Sequence, residues 1–467
     1  FAGNPYFISL DALIEEGLLK KSECDELYFG TNPEYVDYGA LYESRFKALY
    51  IAYERFKDIS DEDESYAAFL EKEAYWLDDY CMFMAFKELN GWKGWTEWEE
   101  PLRNRDKKAM AKAAEECADE IGFYRFQQYK FMEHWEKVHA YAGRHGVSII
   151  GDIPIYVAFD SADTWSHPEM FQFDRKNVPL AVAGCPPDAF SETGQLWGNP
   201  LYNWKYLKKH GYEWWIRRIA RCLEFYDVIR IDHFRGFDEY YAVPYGEETA
   251  MNGKWEKGPG MDLFNAIREK LGEVEIIAED LGYITESVRK LLSDSGFPGM
   301  KILQFAFDES ENSLYLTHEH IKNCVVYTGT HDNMTSRGWI DSLNDHDRDF
   351  VRNYINSIHT DYGQFTWDFI REAFRSVSDL CIVPIQDFLV KGNEARINIP
   401  AVGTGNWQWR VAPNTLSEDL ARSILRMTKL YGRYQYVEIQ PEEEPEKEAG
   451  ETAEAEGKTE KTAEEEA

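Results

Sequence analysis

Residues 228–237 read VIRIDHFRGF, and this stretch decides how the rest of the chain is interpreted. Aliphatic side chains flank Arg230, and the run then gives way to Asp232, His233 and a glycine-containing segment. An almost continuous apolar run of this length predicts a parallel strand buried on both faces, here over residues 227–232. Because residues two apart in a strand share a face, Arg230 and Asp232 are expected to point together.

Five further runs share this pattern, and helix-length amphipathic segments separate them. We predict the strands over residues 147–153, 275–279, 301–305, 324–330 and 380–385. Crossover helices are predicted over residues 214–225, 262–271 and 287–292. The alternation indicates an α/β fold. A doubly wound sheet is compatible with it, but a (β/α) barrel is favoured because acidic residues follow several of the strands.

The six predicted strands fall short of the eight that a closed barrel requires. Nothing before Gly146 has the pattern of a buried parallel strand, so two strands are either hidden in the first 60 residues or absent from this chain. Aromatic residues recur every three or four positions between 61 and 144, which predicts several packed helices. We therefore expect a catalytic barrel over residues 1–439 with a helical insertion at about 61–145.

Charge and composition restrict the partners of the chain. The formal net charge is −33 and the sequence pI is about 4.8, so a nucleic-acid backbone or an anionic membrane would be repelled. Residues 440–467 contain twelve Glu and three Lys without a large apolar side chain after Gln440, which predicts a disordered acidic tail. A neutral sugar substrate is indifferent to this charge.

The cysteines and the apolar runs point to the cytoplasm. The seven cysteines stand singly without a C-x-x-C pair, as is typical of reduced thiols: Cys24, Cys81, Cys117, Cys185, Cys222, Cys324 and Cys381. No apolar run approaches the roughly 20 residues that a membrane-spanning helix needs, and no signal peptide is visible.

Four acidic residues stand at predicted strand ends: Asp152, Asp232, Glu279 and Asp332. Gaps of 47 and 53 residues separate the last three, so each comes from a different strand and they can converge at one mouth. Three readings stay open. The acids could bind a metal together with neighbouring histidines, perform glycosyl transfer with two carboxylates, or have structural roles only.

The neighbours of these acids favour glycosyl transfer over metal binding. The guanidinium of Arg230 would repel a cation and would hold Asp232 ionised and oriented, as a nucleophile requires. Three apolar residues precede Glu279, a setting that raises a carboxyl pKa and suits a general acid. Asp280 points to the opposite face and is expected to be structural, capping the turn that follows.

Several segments together resemble one enzyme family. VIRIDHFRGF, EIIAEDLG (residues 275–282) and VVYTGTHDN (residues 325–333) resemble the catalytic segments of the α-amylase clan. Residues 186–204, PPDAFSETGQLWGNPLYNW, resemble a signature of the amylomaltases or disproportionating enzymes, the 4-α-glucanotransferases of glycoside hydrolase family 77. The segments GDIPIYVAFDSADTW, FPGMKILQFAF and ARINIPAVGTGNWQWR are similar to that family as well, and the likeness runs from residue 1 to about 411.

The resemblance implies a role for each acid. Asp232 would be the nucleophile that forms a glucosyl-enzyme, and Glu279 would be the acid that becomes the base in the second step. Asp332 would bind sugar hydroxyls and stabilise the distorted ring. A polar clamp around that sugar would consist of Asp152, Arg230, His233 and His331.

The same resemblance places Gln195 and Trp197 in a loop that covers the acceptor side, with Phe190 in that loop stacking on glucose. Plain packing stays an alternative for Trp197 and for Phe190. Asn406, Trp407 and Trp409 are expected to close the barrel rather than to touch substrate.

The implied activity is transfer of α-1,4-glucan segments to the 4-hydroxyl of glucose or a maltooligosaccharide, without a cofactor or metal, by a monomer or weak homodimer. An α-glucan hydrolase of the same clan and an inactive glucan-binding fragment remain alternatives. Family members carry about 60 further upstream residues, with two barrel strands and a loop near the cleavage point. We therefore expect the chain as written to fold poorly or to be a fragment.

Overall fold

The structure, a computed structural model, describes residues 1–187, 191–282, 284–307, 313–400 and 402–437. Residues 1–149 are helical, with short 3₁₀ helices at Pro5–Phe7 and Trp95–Glu97. The α-helices of this part are α1 (Leu10–Glu15), α2 (Lys21–Asp25), α3 (Tyr38–Phe56), α4 (Glu64–Leu89), α5 (Glu100–Arg103), α6 (Lys107–Glu116) and α7 (Ala118–Arg144).

Side-chain caps and aromatic packing explain the long helices. The carboxylates of Asp37 and Asp63 accept hydrogen bonds from backbone N–H groups in the first turns of α3 and α4. Phe56, Phe86 and Phe126 are fully or almost fully buried in one aromatic-rich core between these helices. The expected helices between 61 and 144 are therefore present as α4 to α7. The alternative of two strands in the first 60 residues is wrong, because no described strand begins before residue 150 and the one β-bridge recorded in residues 1–60, from Tyr35 to Trp409, is isolated and antiparallel.

Ten strands follow. They are β1 (Ile150–Pro154), β2 (Ala181–Cys185), β3 (Gln195–Pro200), β4 (Val228–Asp232), β5 (Glu239–Pro244), β6 (Lys254–Lys257), β7 (Ile276–Ala278), β8 (Gly299–Ile302), β9 (Cys324–Tyr327) and β10 (Leu380–Ile382). The helices among and after them are α8 (Ala162–Ser166), α9 (Trp204–Lys209), α10 (Glu213–Phe225), α11 (Met261–Leu271), α12 (Glu286–Ser295), α13 (Ser336–Ser342), α14 (Asp345–Tyr354), α15 (Tyr362–Arg375), α16 (Ile385–Phe388) and α17 (Glu418–Leu430). Short 3₁₀ helices lie at Pro168–Met170, Phe234–Phe237, Leu303–Phe307, Thr317–Glu319 and Asn393–Ala395.

Six of the strands run parallel in the order β1-β4-β7 and β8-β9-β10. The backbone N–H of Ala278 donates to Pro298 O at 2.9 Å and joins the two groups at β7 and β8. The spatial order therefore follows the chain without the reversal that defines a doubly wound sheet. The molecule has an α/β fold, and α10, α11 and α12 precede β4, β7 and β8.

Two details of the predicted strands are wrong. The strand predicted over 301–305 begins earlier, as β8, and the residues after Ile302 form a 3₁₀ helix. The outermost strands are not buried on both faces, because Ile150 of β1 and Leu380 of β10 are each more than one-third exposed. Among the described strands, β1 and β10 each have a neighbour on one side only. Their apolar sequence therefore does not show that they are buried on both faces, as it does for β4.

The remaining strands form an antiparallel sheet in the order β3-β2-β5-β6, inserted between β1 and β7 in the sequence. This sheet brings β3 beside the end of β4. None of the helices in the described ranges is both long and apolar enough to cross a membrane. All seven cysteines lie in described ranges and are free thiols.

Candidate active site

Arg230 holds two carboxylates at the centre of the parallel sheet. The register of β1 against β4 pairs Asp152 with Arg230. Arg230 Nη1 donates to Asp152 Oδ2 at 2.5 Å and lies 3.1 Å from Asp232 Oδ1, as expected from the shared face of residues 230 and 232. The arginine side chain is 8% exposed, whereas that of Asp232 is 44% exposed. The cation is therefore covered while the carboxylate faces open space. Asp152 lies within β1 rather than at its end.

Glu279 lies directly after β7 and is bonded to the end of β4. Its backbone N–H donates to Ile231 O at 3.0 Å, and its carbonyl accepts from the N–H of Phe234 at 3.1 Å. The side chain accepts two backbone hydrogen bonds, from His233 N at 2.8 Å and from Leu281 N at 2.7 Å. His233 adopts a left-handed backbone conformation with φ 56°. The residue after Asp232 therefore touches the second acid.

The two acids differ in their electrostatic surroundings. Burial, and then the charge of Asp232, raise the pKa of Glu279 to about 7, in agreement with the expectation from its apolar neighbours. The protein atoms that replace part of the solvent around the half-exposed Asp232 also raise its pKa, with Arg230 opposing the shift and Asp152 and Asp332 adding to it. Arg230 thus orients Asp232 and favours its charged form. The expectation that it would bring the pKa of Asp232 below the ordinary value is wrong, because the net shift is upward.

Asp332 occupies the loop after β9. Asn398 Nδ2 donates to its Oδ1 at 2.5 Å, and Arg396 Nη2 donates to its backbone carbonyl at 2.6 Å. His331 Nε2 lies 3.4 Å from the same carboxylate oxygen. His331 lines the same cavity as Arg230, which is the ion-pair partner of Asp232. The structure thus brings the three predicted acids to one region.

A cavity of about 250 Å³ adjoins this region, between the ends of β4, β9 and β10. Arg230, His331 and Arg396 line it, together with Tyr327 and Ile382 of the strands. Its described lining includes none of Asp232, Glu279 and Asp332. The cavity adjoins the site through Arg230 and His331, which contact Asp232 and Asp332.

The segment with Gln195 and Trp197 is strand β3 and not a loop, which corrects the sequence expectation. Trp197 Nε1 donates to Gln195 Oε1 at 3.1 Å, and the indole meets the ring of His233 edge-on at 4.8 Å between centroids. The imidazole Nε2 of His233 has no hydrogen-bond partner among the described residues. Burial, and then Arg235, lower the pKa of His233 to about 4, so the ring is neutral. Phe190 lies outside the described residues.

Asp280 is structural, but it does not cap the turn that follows it. Its Oδ1 accepts the backbone N–H of Met300 at 2.6 Å and so ties β7 to β8. The turn N–H of Leu281 is instead bound by Glu279. Burial raises the pKa of Asp280 to about 6.

Three contacts of the site were missed from the sequence. Arg396 and Asn398 bind Asp332 from a segment more than 60 residues away, within the ARINIP motif whose residues received no role. Trp407, which was expected to close the barrel, is 50% exposed, and its ring lies 5.2 Å from that of His331. No periodic signal in the sequence points from these two residues to Asp332, because residues 396–398 belong to no strand.

The arrangement can perform acid–base and nucleophilic chemistry together. One carboxylate is paired with a guanidinium and open to the cleft, and the second titrates near neutral pH, so one can attack while the other transfers a proton. Arg230 lies between Asp152 and Asp232, so its guanidinium provides the positive charge that these two carboxylates face.

The family model described as 4-alpha-glucanotransferase, glycoside hydrolase family 77, matches residues 1–416. A 4-alpha-glucanotransferase of Clostridium butyricum is 48% identical over 93% of this chain and 88% of its own length, and one of Thermus thermophilus is 44% identical over 92% and 86%. A solved amylomaltase of Streptococcus agalactiae in complex with acarbose matches with a TM-score of 0.90 and 39% identity, over 93% of this chain and 88% of that one. The expected resemblance is confirmed: the chain belongs to the 4-alpha-glucanotransferases of glycoside hydrolase family 77.

Proposed function

We propose that this 4-alpha-glucanotransferase transfers α-1,4-glucan segments by a retaining double displacement, with Asp232 as nucleophile and Glu279 as acid and base. The observation that carries the proposal is that the two carboxyl groups differ in their ion pairing and in their surroundings. Asp232 faces Arg230, whereas Glu279 has no ion pair among the described residues and its pKa is raised to about 7. Carboxyl groups with separated protonation behaviour are what a retaining glycosidase mechanism uses.

In the first step, a carboxylate oxygen of Asp232 attacks the anomeric carbon of the donor sugar. The bond from that carbon to the glycosidic oxygen breaks as the proton of Glu279 passes to this oxygen, and the shortened glucan leaves with a free 4-hydroxyl. The glucan on the anomeric side remains as an ester of Asp232. Arg230 positions the attacking oxygen, and the buried site favours the protonated form of Glu279 that the step requires.

In the second step, Glu279 takes the proton of the acceptor 4-hydroxyl. The resulting oxygen displaces Asp232 from the anomeric carbon, which restores the α linkage and the free carboxylate. Two inversions therefore give net retention. Asp332, held by Asn398, is proposed to bind sugar hydroxyls as the ring flattens, with Asp152, His233 and His331 completing the polar surroundings.

Partition between transfer and hydrolysis is proposed to depend on β3. Trp197 covers the buried imidazole of His233 and is 37% exposed, so its indole face is available to an acceptor glucose beside the nucleophile. An acceptor bound there reacts with the effective concentration of an intramolecular group and displaces water. Gln195 fixes the indole through its hydrogen bond, and Phe190 of the preceding segment is proposed to add a second stacking surface.

The finer architecture belongs to the same proposal. The six parallel strands follow the chain order of a (β/α)₈ barrel, which requires two more strands than the described residues supply. We propose residues 1–439 as the catalytic unit, with the helices at about 61–145 inserted into it, and residues 440–467 as a tail. Maltooligosaccharides and α-1,4-glucans are the proposed partners of a monomer or weak homodimer. The free thiols support a cytoplasmic location.

Incubation with maltotriose tests the activity. Glucose together with a ladder of longer maltooligosaccharides is expected. A run-down to small sugars would instead indicate the hydrolase of the same clan, and binding without turnover would indicate an inactive glucan-binding protein.

Trapping tests the assignment of the nucleophile. A 5-fluoroglucosyl fluoride should form a slowly hydrolysed ester, and peptide mass spectrometry should place the label on Asp232. The D232N variant should remain unlabelled, and D280N, which changes an acid that faces the next strand, should be labelled as the unmutated chain is. A label on any other carboxylate contradicts the proposed mechanism.

A further inference from the structure

Asp387 is the buried carboxylate that holds both ends of the loop carrying Asp332. It lies in α16, and its side chain is fully buried. Thr328 Oγ1 donates to its Oδ2 at 2.6 Å, directly after β9. Ser336 donates twice, from its hydroxyl to Oδ2 at 2.6 Å and from its backbone N–H to Oδ1 at 2.7 Å, at the start of α13. One carboxyl group therefore fixes two residues that flank Asp332 on either side.

Asp387 is a buried carboxyl group that has no cationic partner among the described residues. No lysine or arginine among the described residues forms a salt bridge with it, and burial raises its pKa against the hydrogen bonds from Ser336 and Thr328. A buried carboxylate without a cation costs free energy that its hydrogen bonds only partly offset. An apolar residue at this position would avoid that cost, but it would leave the donors of Thr328 and Ser336 without an acceptor.

The loop between these anchors is further restrained from within. The N–H and hydroxyl of Thr330 each donate to Asn333 Oδ1 at 2.9 Å, and the N–H of Asp332 donates to Thr330 Oγ1 at 3.2 Å. Gln304 Nε2 donates to the carbonyl of Met334 at 3.0 Å. The inner bonds give the loop its shape, while Asp387 fixes that shape to the end of the sheet.

We propose that Asp387 is a positioning residue of the glycosyl transfer reaction, which sets the location of Asp332 through Thr328 and Ser336. The inference rests on the proposed function, because it assumes that Asp332 binds the sugar at the transition state. Asp387 itself does not touch substrate. A displacement of Asp332 by a fraction of an ångström should weaken its contacts most where the sugar is distorted, so kcat should fall while KM changes little.

The D387N variant is the primary test, measured by glucose release from maltotriose. We expect kcat to fall by about ten-fold or more, with KM within about two-fold of the unmutated value. T328V removes one hydroxyl with little change of shape and should lower kcat several-fold. It carries the same test if D387N does not fold.

A double-mutant cycle separates positioning from a general loss of order. If Asp387 acts through Asp332, adding D387N to D332N should lower kcat by less than about two-fold further. The matched control is D368N. Asp368 is also buried and accepts hydrogen bonds from Ser357 Oγ at 2.6 Å and His359 Nδ1 at 2.7 Å. Unlike Asp387 it is also paired with an arginine, Arg371, so it matches Asp387 in burial and in its hydroxyl donor, at a place outside the site. D368N should lower the melting temperature without lowering kcat.

The outcomes distinguish the two proposals. An unmutated chain without transferase activity overturns the proposed function and this inference with it. An active chain in which D387N lowers kcat equally in both backgrounds, or no more than D368N does, overturns only the role of Asp387.

Discussion

The carboxyl group of Glu279 is subject to two opposing influences. Burial and the neighbouring charge of Asp232 favour the protonated acid, while the charge of Arg230 and then two backbone N–H groups favour the carboxylate. The influences that favour the acid are the stronger, and the pKa lies at about 7. A group that titrates near neutral pH can donate a proton in one half of the reaction and accept one in the other half.

The first prediction concerns the pH dependence of the rate. Because glucosylation of Asp232 requires protonated Glu279, kcat/KM for maltotriose should decline as the pH rises through about 7. With a maltosyl fluoride donor, whose leaving group needs no proton, the rate of the first step should not decline at alkaline pH. Fluoride release measures this rate. An identical decline with both donors would show that another group controls it.

The second prediction concerns stability. A carboxyl group whose folded pKa is raised binds more protons in the folded than in the unfolded state between about pH 4.5 and 7, so the unmutated protein loses stability as the pH rises across this window. E279Q does not titrate there. The difference in melting temperature, E279Q minus unmutated, should increase from pH 4.5 to 7 and then level off. A difference that is constant or falls with pH would contradict the raised pKa.

Strand β3 shows how an inserted element can contribute to the site. The antiparallel sheet β3-β2-β5-β6 interrupts the alternation of parallel strands and helices, and it brings the indole of Trp197 against His233. Leu196 and Trp197 are equally exposed, at 38% and 37%, but successive residues of a strand point to opposite faces. The strand therefore contains a proposed site residue, Trp197, and a control residue of similar exposure, Leu196.

The third prediction compares these two positions. W197A should raise the ratio of hydrolysis to transfer from maltotriose several-fold, because an acceptor that loses its stacking surface competes less well with water. L196A should leave the ratio unchanged. Reducing-end release and oligosaccharide profiles measure the two reactions. An equal effect of both variants would assign the change to the sheet as a whole and not to the indole.

Local pattern was sufficient for β4 and β7 but not for every element. Their apolar runs are flanked by polar residues, and the observed bounds lie within one residue of those predicted. The apolar character of residues 303–307 continues beyond β8, so the pattern could not show that the chain changes there to a 3₁₀ helix. For β3 the loop expectation came from the family resemblance alone. The glycine, asparagine and proline of this segment are typical of turns, but its pairing with β2 overrides that preference.

The candidate site was predictable to the same extent. Arg230 and Asp232 were assigned to one face by the period of the strand, and the strand-end positions placed Glu279 and Asp332 nearby. Asn398 and Asp387 could not be found this way. Each meets its partner across more than 50 residues, and neither stands in a periodic pattern that points to the partner.

At the scale of the whole molecule, a buried ionic network joins the helical region to the α/β region. Glu73 of α4 and Arg221 of α10 are 1% and 2% exposed, and Arg221 Nη1 lies 3.0 Å from Glu73 Oε1. Trp76 Nε1 donates to the other oxygen of Glu73 at 2.6 Å, and the partly exposed Glu224 also binds Arg221.

The predicted acidic tail, residues 440–467, lies outside the described residues and stays a prediction.

The fourth prediction follows from this network. E73Q should lower the free energy of unfolding by about 3 kcal/mol, because it removes one partner of a buried pair and leaves the charge of Arg221 incompletely compensated. E224Q, which changes the exposed partner of the same arginine, should cost less than about 1 kcal/mol. Denaturant unfolding measures both. Equal losses would show that the burial of Glu73 does not determine its contribution.

The left-handed residue that follows Asp232 has a consequence for the timing of the reaction. The peptide group between residues 232 and 233 is attached to Asp232, the proposed nucleophile, and its N–H donates to Glu279, the proposed proton donor. Thermal displacement of the tip of β4 therefore moves both reacting groups in the same direction. The distance between the two carboxyl groups should therefore fluctuate less than the position of each group. Attack on the sugar and proton transfer can then occur together even when the surrounding cleft opens and closes slightly.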